Sequence, residues 1–422
     1  MGRGEKAKIY IPPFRLEKIM VEKGLADYFE QFLAKKPLFK DKKALQPNYS
    51  PDTIRHRDAQ MKQIADILAP ILREDKPSNI FIYGKTGTGK TLCTKHVVEN
   101  IKHVASQRDL PIKIIYLNCK LKKIADTEYR LIAQLAREFG KAIPPTGLPT
   151  DEVYNIFFRT VDEKKQTILL VLDEIDQLIN KIGDEILYNL TRMNETLKKS
   201  QVCIAGVSNN LMFTEHLDPR VKSSLSEEEI LFPPYNALQI QNILRQRAKV
   251  AFQPGAIEEG VIEKCAAYAA KEHGDARRAL QLLRVAGELA ERENLTKLTM
   301  KQIDSADRKI EHDRVFDVLS AQPTQFQATL YSALVISQKR KGPIFTGEIY
   351  DLYRSLCQKT NLAPLTQRRV SDIIAEMDML GLINAKVISK GRYGRTREIT
   401  ISIPPSMNHQ IRKTLEEGLA LS

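Results

Sequence analysis

Eight residues in the first quarter of the chain have the composition and spacing of a phosphate-binding loop. They fit the pattern G-x-x-x-x-G-K-[ST] with Gly84, Lys85, Thr86, Gly87, Thr88, Gly89, Lys90 and Thr91. Glycines let backbone N–H groups converge on phosphate oxygens without side-chain clash. The Lys90 charge suits the β- and γ-phosphates of ATP or the β-phosphate of ADP, and the Thr91 hydroxyl suits Mg²⁺. This loop therefore predicts a nucleotide site.

The segments on either side of the loop are those that the motif requires. Residues 79–83 are apolar and β-prone, and residues 92–100 have the composition of a helix. A strand, a glycine loop and a helix in this order bring the positive end of a helix dipole to the phosphates. A plain glycine-rich turn is the alternative, and the complete motif in this context argues against it.

An acidic pair follows a second apolar run further along the chain. Residues 168–172 are continuously apolar, as is typical of a strand buried on both faces of a parallel sheet, and Asp173 and Glu174 follow. Ligands lie at the carboxyl ends of strands in such sheets. We expect Asp173 to bind Mg²⁺ together with Thr91, and Glu174 to orient or activate the attacking water.

Length, charge and cysteine usage exclude several classes of protein. The chain has 422 residues, a net charge of +13 and a mean hydropathy of -0.32, with no run long enough for a membrane span and no signal-peptide pattern. Its five cysteines are widely spaced, which predicts a reducing cytoplasm and neither disulfides nor a zinc site. Basic residues are in excess at the two ends, by +5 in residues 1–50 and +6 in residues 323–422. This distribution favours a polyanionic partner, although for the N-terminus solubility is the simpler explanation.

The predicted elements divide the chain into four parts. Residues 1–36 are a basic N-terminal extension. Residues 37–235 alternate strands and helices, which predicts an α/β nucleotide-binding domain with a parallel sheet. Residues 236–312 contain only helical signals, the last over 299–309, and form an all-α lid. Residues 313–422 carry three helices and a hairpin, which predicts a winged-helix domain. The predicted strands of the sheet are 79–83, 112–118, 168–172 and 201–207.

A polar residue, Asn209, lies just beyond the predicted strand 201–207. A polar side chain at this point can lie beside the γ-phosphate and the attacking water. It can equally belong to an ordinary asparagine turn, and the residues alone leave both interpretations open.

Basic residues concentrate on two elements of the predicted winged helix. Its third helix, residues 366–380, begins with Arg368 and Arg369, and recognition helices use their N-terminal residues on base edges and phosphates. The hairpin of strands 382–389 and 396–403 has a basic tip that suits an adjacent groove, with Lys390, Arg392, Tyr393, Arg395 and Arg397. We therefore favour duplex DNA as the partner, with docking of another protein as the alternative.

Several further segments occur in a specific order around the two nucleotide motifs. They are Leu38-Phe39-Lys40-Asp41, Pro51 with His56-Arg57, Gly206-Val207-Ser208-Asn209, Leu217-Asp218-Pro219-Arg220-Val221, Phe232-Pro233-Pro234-Tyr235 and Gly274-Asp275-Ala276-Arg277-Arg278-Ala279-Leu280. In this order the chain resembles the archaeal origin-recognition proteins, the initiator branch of the AAA+ ATPases that also includes eukaryotic origin-recognition and helicase-loading subunits. The resemblance covers residues 37–422, and nothing is carried over to residues 1–36.

The resemblance implies roles for single residues. Asn209 resembles the sensor on the strand between the nucleotide motifs, and Arg277 resembles the second sensor, which reaches from the lid to the phosphates. Tyr235 and Arg247 resemble nucleotide contacts, and Arg220 resembles an arginine finger presented to a neighbouring subunit. The family's additional DNA-contacting helix falls at the segment that carries Lys120, Lys122 and Lys123.

The resemblance also implies a function. The chain is expected to be an AAA+ DNA replication initiator that binds origin duplex DNA, associates with other initiator subunits and helps to recruit the replicative helicase. ATP is expected to act mainly as a switch, with weak hydrolysis to ADP and phosphate, because an arginine from a neighbour must complete the site. One alternative is a DNA motor of the branch-migration type, which joins the same core to a winged helix. The other is an ATP-switched protein scaffold.

Overall fold

The computed structural model describes two compact units, Met1–Ile303 and Asp304–Ser422. The residues described are 30, 36–120, 126–144, 146–215, 217–225, 227–272, 274–339, 342–389, 395–403 and 407–421. The predicted N-terminal extension therefore lies outside the described residues, except for Glu30 and Lys36. None of the helices in this described part of the chain is long and apolar enough to cross a membrane.

A five-stranded parallel sheet forms the centre of the first unit. Its strands are β1 (Ile80–Tyr83), β2 (Ile112–Asn118), β3 (Thr167–Asp173), β4 (Gln201–Ser208) and β5 (Glu228–Leu231), in the order β2-β3-β4-β1-β5. All seven residues of β3 are buried, as the continuous apolar run predicts. The register pairs Tyr83 with Ser208 and Asp173 with Val207, so that β1, β3 and β4 end at the same edge.

Helices cover both faces of this sheet because successive side chains of each strand point to opposite faces. In β3, Leu169 and Val171 pack with Ile64 and Val97 on one face, whereas Leu170 packs on the other. The first face is covered by α1 (Asp58–Leu68) and α2 (Lys90–Gln107). The opposite face is covered by α3 (Glu128–Glu138), α4 (Thr150–Val161), α5 (Ile175–Ile182), α6 (Glu185–Arg192) and α7 (Pro219–Leu225).

A group of helices, the lid, follows the sheet and is joined to the start of the described chain. It consists of α8 (Ala237–Ala251), α9 (Val261–Lys271), α10 (Ala276–Arg292) and α11 (Met300–Ser320), the last of which continues into the second unit. The ring centroids of Phe39 and Phe252 lie 4.6 Å apart. The Leu38 backbone N–H donates to Glu291 Oε1 at 2.9 Å, and Lys42 Nζ lies 2.7 Å from Glu288 Oε1. The segment before the sheet is therefore held by the lid.

The second unit has a winged-helix arrangement. It contains α12 (Thr324–Lys339), β6 (Ile344–Phe345), α13 (Thr346–Lys359), α14 (Gln367–Met379), β7 (Ile383–Ser389), β8 (Arg395–Ile401) and α15 (Asn408–Gly418). The strands form an antiparallel sheet in the order β6-β8-β7. Buried Phe326, Tyr353 and Ile399 belong to its core. The predicted architecture, a parallel-sheet α/β domain followed by an all-α lid and a winged helix, is confirmed.

Several elements differ from the prediction. Strands β5 and β6 and helices α5, α7 and α15 were not predicted, and α11 extends to Ser320 instead of ending at residue 309. In β5 two exposed carboxylates weaken the strand signal, and the strand forms by pairing at the sheet edge with β1. The polar composition of α11 gives it a weak amphipathic pattern, so its continuation is difficult to recognise.

The contact between the segment before the sheet and the lid requires a glycine on α10. A Cβ at Gly287 would lie 2.4 Å from Phe39 Cζ and 3.0 Å from a Phe252 ring carbon. We expect Gly287→Ala to lower the free energy of unfolding by about 1–3 kcal/mol, because the overlap outweighs the better helix propensity of alanine. Gly347→Ala in α13 is the matched control, because nothing lies within 4 Å of its Cβ, and it should raise stability by up to about 1 kcal/mol. Guanidinium denaturation measures both, and equal stability of Gly287→Ala and wild type would contradict the prediction.

Candidate nucleotide site and nucleic-acid interface

The phosphate-binding loop leaves β1 and enters α2 as the motif predicts. Helix α2 begins at Lys90, and Gly89 precedes it with φ +94°, a conformation that favours glycine. The buried Lys90 ammonium donates to the carbonyl oxygens of Gly84 at 2.7 Å and Lys85 at 2.8 Å. Burial, together with the nearby charge of Arg277, lowers the pKa of Lys90 to about 8. A phosphate at this position would favour the charged form of the lysine.

The loop lies directly against the lid. A Cβ at Gly87, which has φ +70°, would lie 1.7 Å from Asp275 Oδ1, so glycine is required for this approach. Asp275 caps α10 by accepting from Arg277 N at 2.7 Å and Arg278 N at 3.2 Å. The Ala276 N–H also donates to the Gly87 carbonyl at 3.3 Å. The start of α10, including Arg277, is thus fixed beside the phosphate-binding loop.

The predicted metal ligands Thr91 and Asp173 are in contact. The Thr91 hydroxyl donates to the Asp173 carboxylate, whose oxygens lie 3.1 and 3.2 Å away. The same carboxylate accepts from Tyr116 Oη at 2.7 Å and from the Glu174 N–H at 3.1 Å. Burial and the Asp173 charge raise the pKa of Tyr116, which keeps it protonated as a donor. A hydroxyl and a carboxylate side by side are oxygen ligands of the kind that Mg²⁺ prefers, so the site fits this ion.

Glu174 follows β3 in a left-handed backbone conformation. Its φ is +56°, which is uncommon for a residue other than glycine and clusters at functional sites. A carboxylate oxygen of Glu174 lies 3.9 Å from Nζ of Lys120, which comes two residues after β2. Asn209 follows β4, the strand between β3 and β1, and its N–H donates to Asp176 Oδ1 at 3.3 Å. Both residues lie at the strand ends that border the phosphate-binding loop.

A cavity of about 190 Å³ adjoins the phosphate-binding loop and is lined by the lid. Gly87, Gly89, Tyr235, Arg247 and Arg277 all contribute to it, as do residues 46–51 and 53–55. The structure therefore brings these predicted nucleotide contacts together around a single cavity.

Arg247 contributes a buried guanidinium to this cavity. Its guanidinium lies 4.5 Å from the centroid of the Tyr49 ring, and its Nη2 donates to the Tyr49 carbonyl at 3.3 Å. The side chain is only 6% exposed, yet Nη1 has no hydrogen-bond partner among the described residues. A buried donor without an acceptor is costly, and a nucleotide oxygen or ring nitrogen would satisfy it.

Arg57 holds the site together, although no motif assigned it a role. It is 2% exposed, and its Nε donates to the Thr88 carbonyl at 2.9 Å. Its Nη2 donates to the Pro233 carbonyl, and its guanidinium lies 3.9 Å from the Tyr235 ring centroid. This arginine links the phosphate-binding loop to the hinge before the lid. Its presence in the Pro51 to Arg57 segment was the available signal, but nothing in the spacing indicated the contact.

Arg220 lies on the surface at the start of α7. Its side chain is 66% exposed, donates to both carboxylate oxygens of Asp218 at 2.9 and 3.0 Å, and lies 5.0 Å from the Tyr188 ring centroid. It does not belong to the described lining of the cavity. The described structure thus places Arg220 on the surface, outside the lining of the cavity.

The structure describes the side chains of four of the ten predicted DNA-contacting residues. Lys120 is exposed, and Arg368 and Arg369 are exposed in the first turn of α14, where Arg369 lies 3.7 Å from Asp372. Arg397 is half-buried and donates to the Ser371 carbonyl, which ties β8 to α14. Outside the described residues lie Lys122, Lys123, Lys390, Arg392, Tyr393 and the side chain of Arg395.

The fold and the site together define a class of protein. A phosphate-binding loop on a parallel sheet of order β5-β1-β4-β3-β2, an acidic residue at the end of β3 and a helical lid are the features of an AAA+ ATPase, here followed by a winged helix. Family models agree: residues 73–213 match the AAA domain, 241–308 the Cdc6 AAA+ ATPase-type lid domain and 317–410 the CDC6 C-terminal winged helix domain.

Whole-chain comparisons identify the family. The chain is 51% identical over 397 residues to the ORC1-type DNA replication protein of Pyrococcus abyssi, with 93% of each chain covered. It is also 51% identical to ORC1-type DNA replication protein 1 of Methanosarcina acetivorans, with 94% and 95% covered. The structure of the Aeropyrum pernix ORC1 protein in complex with DNA has a TM-score of 0.80 and 41% identity, with 91% of this chain and 98% of that chain covered. The chain therefore belongs to the ORC1-type DNA replication protein family.

The contacts of Arg57 generate a test of the nucleotide site. We expect Arg57→Ala to weaken ADP binding by about 10- to 100-fold, because hydrogen bonds from this charged group hold the loop and the hinge. Arg57→Lys keeps the charge but not the fork of donors and should give an intermediate affinity. Fluorescence anisotropy with a labelled nucleotide measures binding, with exposed Arg73→Ala as the control and Lys90→Ala as the variant that abolishes it. Wild-type affinity in Arg57→Ala would contradict the role.

Proposed function

We propose that this protein is an ATP-regulated replication initiator that binds origin duplex DNA and helps to recruit the replicative helicase. The observation that carries the proposal is that one chain of this family combines two sites. One is the cavity between the phosphate-binding loop and the lid, and the other is a winged helix with an arginine pair at the start of α14. The 41% identical Aeropyrum pernix protein is described in complex with DNA, which supports the same partner for this chain.

The nucleotide part of the proposal assigns a task to each residue of the site. Lys90 and Arg277 neutralise phosphate charge, Thr91 and Asp173 hold Mg²⁺, and Arg247 satisfies its buried donor on the nucleotide. The ion, when bound, neutralises charge on the phosphate oxygens. Glu174 and Asn209 orient the attacking water, while Tyr235 shapes the cavity beside the loop. Hydrolysis is weak in the isolated subunit, so that ATP acts mainly as a switch.

The DNA part of the proposal uses residues in each unit. Arg368 and Arg369 lie at the start of the helix, where recognition helices contact bases and phosphates. The basic hairpin tip contacts the adjacent DNA backbone. In the first unit, Lys120 and the two lysines that follow provide a further contact. Association with other initiator subunits, recruitment of the replicative helicase and a place with the nucleoid in the cytoplasm complete the proposal on the strength of the family.

Arg220 supplies a test of the subunit arrangement. We expect Arg220→Ala to leave nucleotide affinity in dilute protein unchanged but to reduce ATP turnover of the associated protein to the rate of the isolated subunit, because its arginine serves a neighbouring site. Turnover measured over a range of protein concentrations, with and without DNA, checks this. Arg192→Ala is the matched control, since Arg192 also lies over the Tyr188 ring, at 4.8 Å. Loss of nucleotide affinity in dilute Arg220→Ala would place the residue in its own site.

The main test of the function concerns DNA. Replacing Arg368 and Arg369 with Ala should weaken duplex binding and reduce discrimination between target and scrambled sequence, because residues at a helix start reach base edges. Replacing Arg392 and Arg395 should weaken binding to both duplexes evenly. It should also lower the slope of log K against log salt by about 2 if each arginine meets one phosphate. The measurement is anisotropy over a salt series, with chromosomal fragments selected by the wild-type protein.

The control for this experiment is a variant of equal charge change. Lys359→Ala with Lys413→Ala removes two exposed lysines from α13 and α15 and should bind both duplexes as wild type does. If both double-arginine variants bound DNA like wild type, the winged helix would not be the element that reads DNA. Its role would then be to dock another protein. Fast DNA-driven turnover by closed hexamers would instead favour the motor.

A further inference from the structure

The carboxylate of Asp173 receives a hydrogen bond from a residue that belongs to no nucleotide motif. Tyr116 Oη lies 2.7 Å from Asp173 Oδ2, closer than the Thr91 hydroxyl at 3.1 Å. Asp173 itself is 3% exposed. A buried carboxylate needs such donors, and the orientation of the carboxylate depends on where they stand.

Two neighbouring elements fix the position of Tyr116. It lies on β2, where it is opposite Val171 of β3, two residues before the pair Asn118 and Asp173. Its ring packs against the core shared by α1 and α2. The Lys95 ammonium lies 4.8 Å from the ring centroid, and Lys95 is one helical turn beyond Thr91 on α2. Strand β2 and the helix that carries Thr91 therefore both border the Tyr116 side chain.

Tyr116 differs in kind from the other two donors. Thr91 is itself a proposed metal ligand, and the Glu174 donor is a backbone N–H that a side-chain change leaves in place. Tyr116 contributes a side-chain hydroxyl to Oδ2 while the ring stands on the next strand. Tyr116→Phe therefore removes only the Oη atom and leaves the phosphate-binding loop and the acidic pair unchanged.

We propose that Tyr116 is a positioning residue for the divalent metal of the nucleotide site. Tyr116 donates to Asp173 Oδ2 and so holds the carboxylate in a fixed orientation. In that orientation Asp173 and Thr91 both present oxygens to the same ion. The inference rests on the proposed nucleotide-binding function. Hydrogen bonds to a metal-binding carboxylate are worth about 10- to 100-fold in metal affinity.

The test compares Tyr116→Phe with wild type in the presence and absence of metal. Tyr116→Phe should bind Mn²⁺ in the presence of ADP about 10- to 100-fold more weakly, as measured by the electron paramagnetic resonance signal of free Mn²⁺. The Mg²⁺ concentration needed for half-maximal binding of a fluorescent ADP should rise by the same factor. Binding of that ADP in EDTA should be unchanged, since the phosphate-binding loop and the lid are intact.

A second tyrosine provides the matched control. Tyr129 donates its hydroxyl to the Pro144 carbonyl at 2.7 Å, on α3 and away from the metal ligands, so Tyr129→Phe should match wild type in every measurement. Unchanged metal dependence in Tyr116→Phe would overturn the inference alone. Equal losses with metal and in EDTA would also overturn it, because they indicate a purely structural role. If the wild-type protein bound no nucleotide in either condition, the proposed function would fail together with the inference.

Discussion

The close approach of the phosphate-binding loop to the lid is the constraint on which the nucleotide site depends. Gly87 leaves no room for a Cβ against Asp275, and its carbonyl accepts from the Ala276 N–H at 3.3 Å. Asp275 in turn caps the helix that carries Arg277. Arg57 adds a second link, from the Thr88 carbonyl to the hinge before the lid. The lining of the cavity thus comes from the sheet domain and from the lid, and neither part encloses it without the other.

The acidic side of the site follows a different physical rule. A carboxylate as deeply buried as Asp173 is stable only with hydrogen-bond donors around it. Those donors come from three places. They are Thr91 at the start of α2, Tyr116 on β2 and the backbone N–H of Glu174, the next residue on the chain. The convergence requires parallel strands in register, because only then do the ends of β3 and the start of α2 meet at the same edge. The sheet therefore determines the chemistry available to the acidic pair.

In the second unit a buried tyrosine positions the helix with the arginine pair. Tyr353 is fully buried, donates to Gln325 Oε1 and accepts from the Leu365 N–H at 2.9 Å. Leu365 immediately precedes Thr366, whose hydroxyl accepts from the Arg369 N–H and caps α14. Because the cap and the loop before it are both fixed, the two arginines start the helix at a defined place. Arg397 ties β8 to this helix through the Ser371 carbonyl.

The sequence by itself determined the phosphate-binding loop, the acidic pair, the alternation of strands and helices, the lid and the winged helix, because each of these is a local pattern of residue types. The tertiary structure alone decided which distant residues complete the site. Arg57 meets Thr88 and Pro233 across 31 and 176 residues, and Tyr116 meets Asp173 across 57. Strand β5 likewise exists because β1 offers it an edge. Such contacts depend on how strands pair and helices cross, which no local pattern of side chains records.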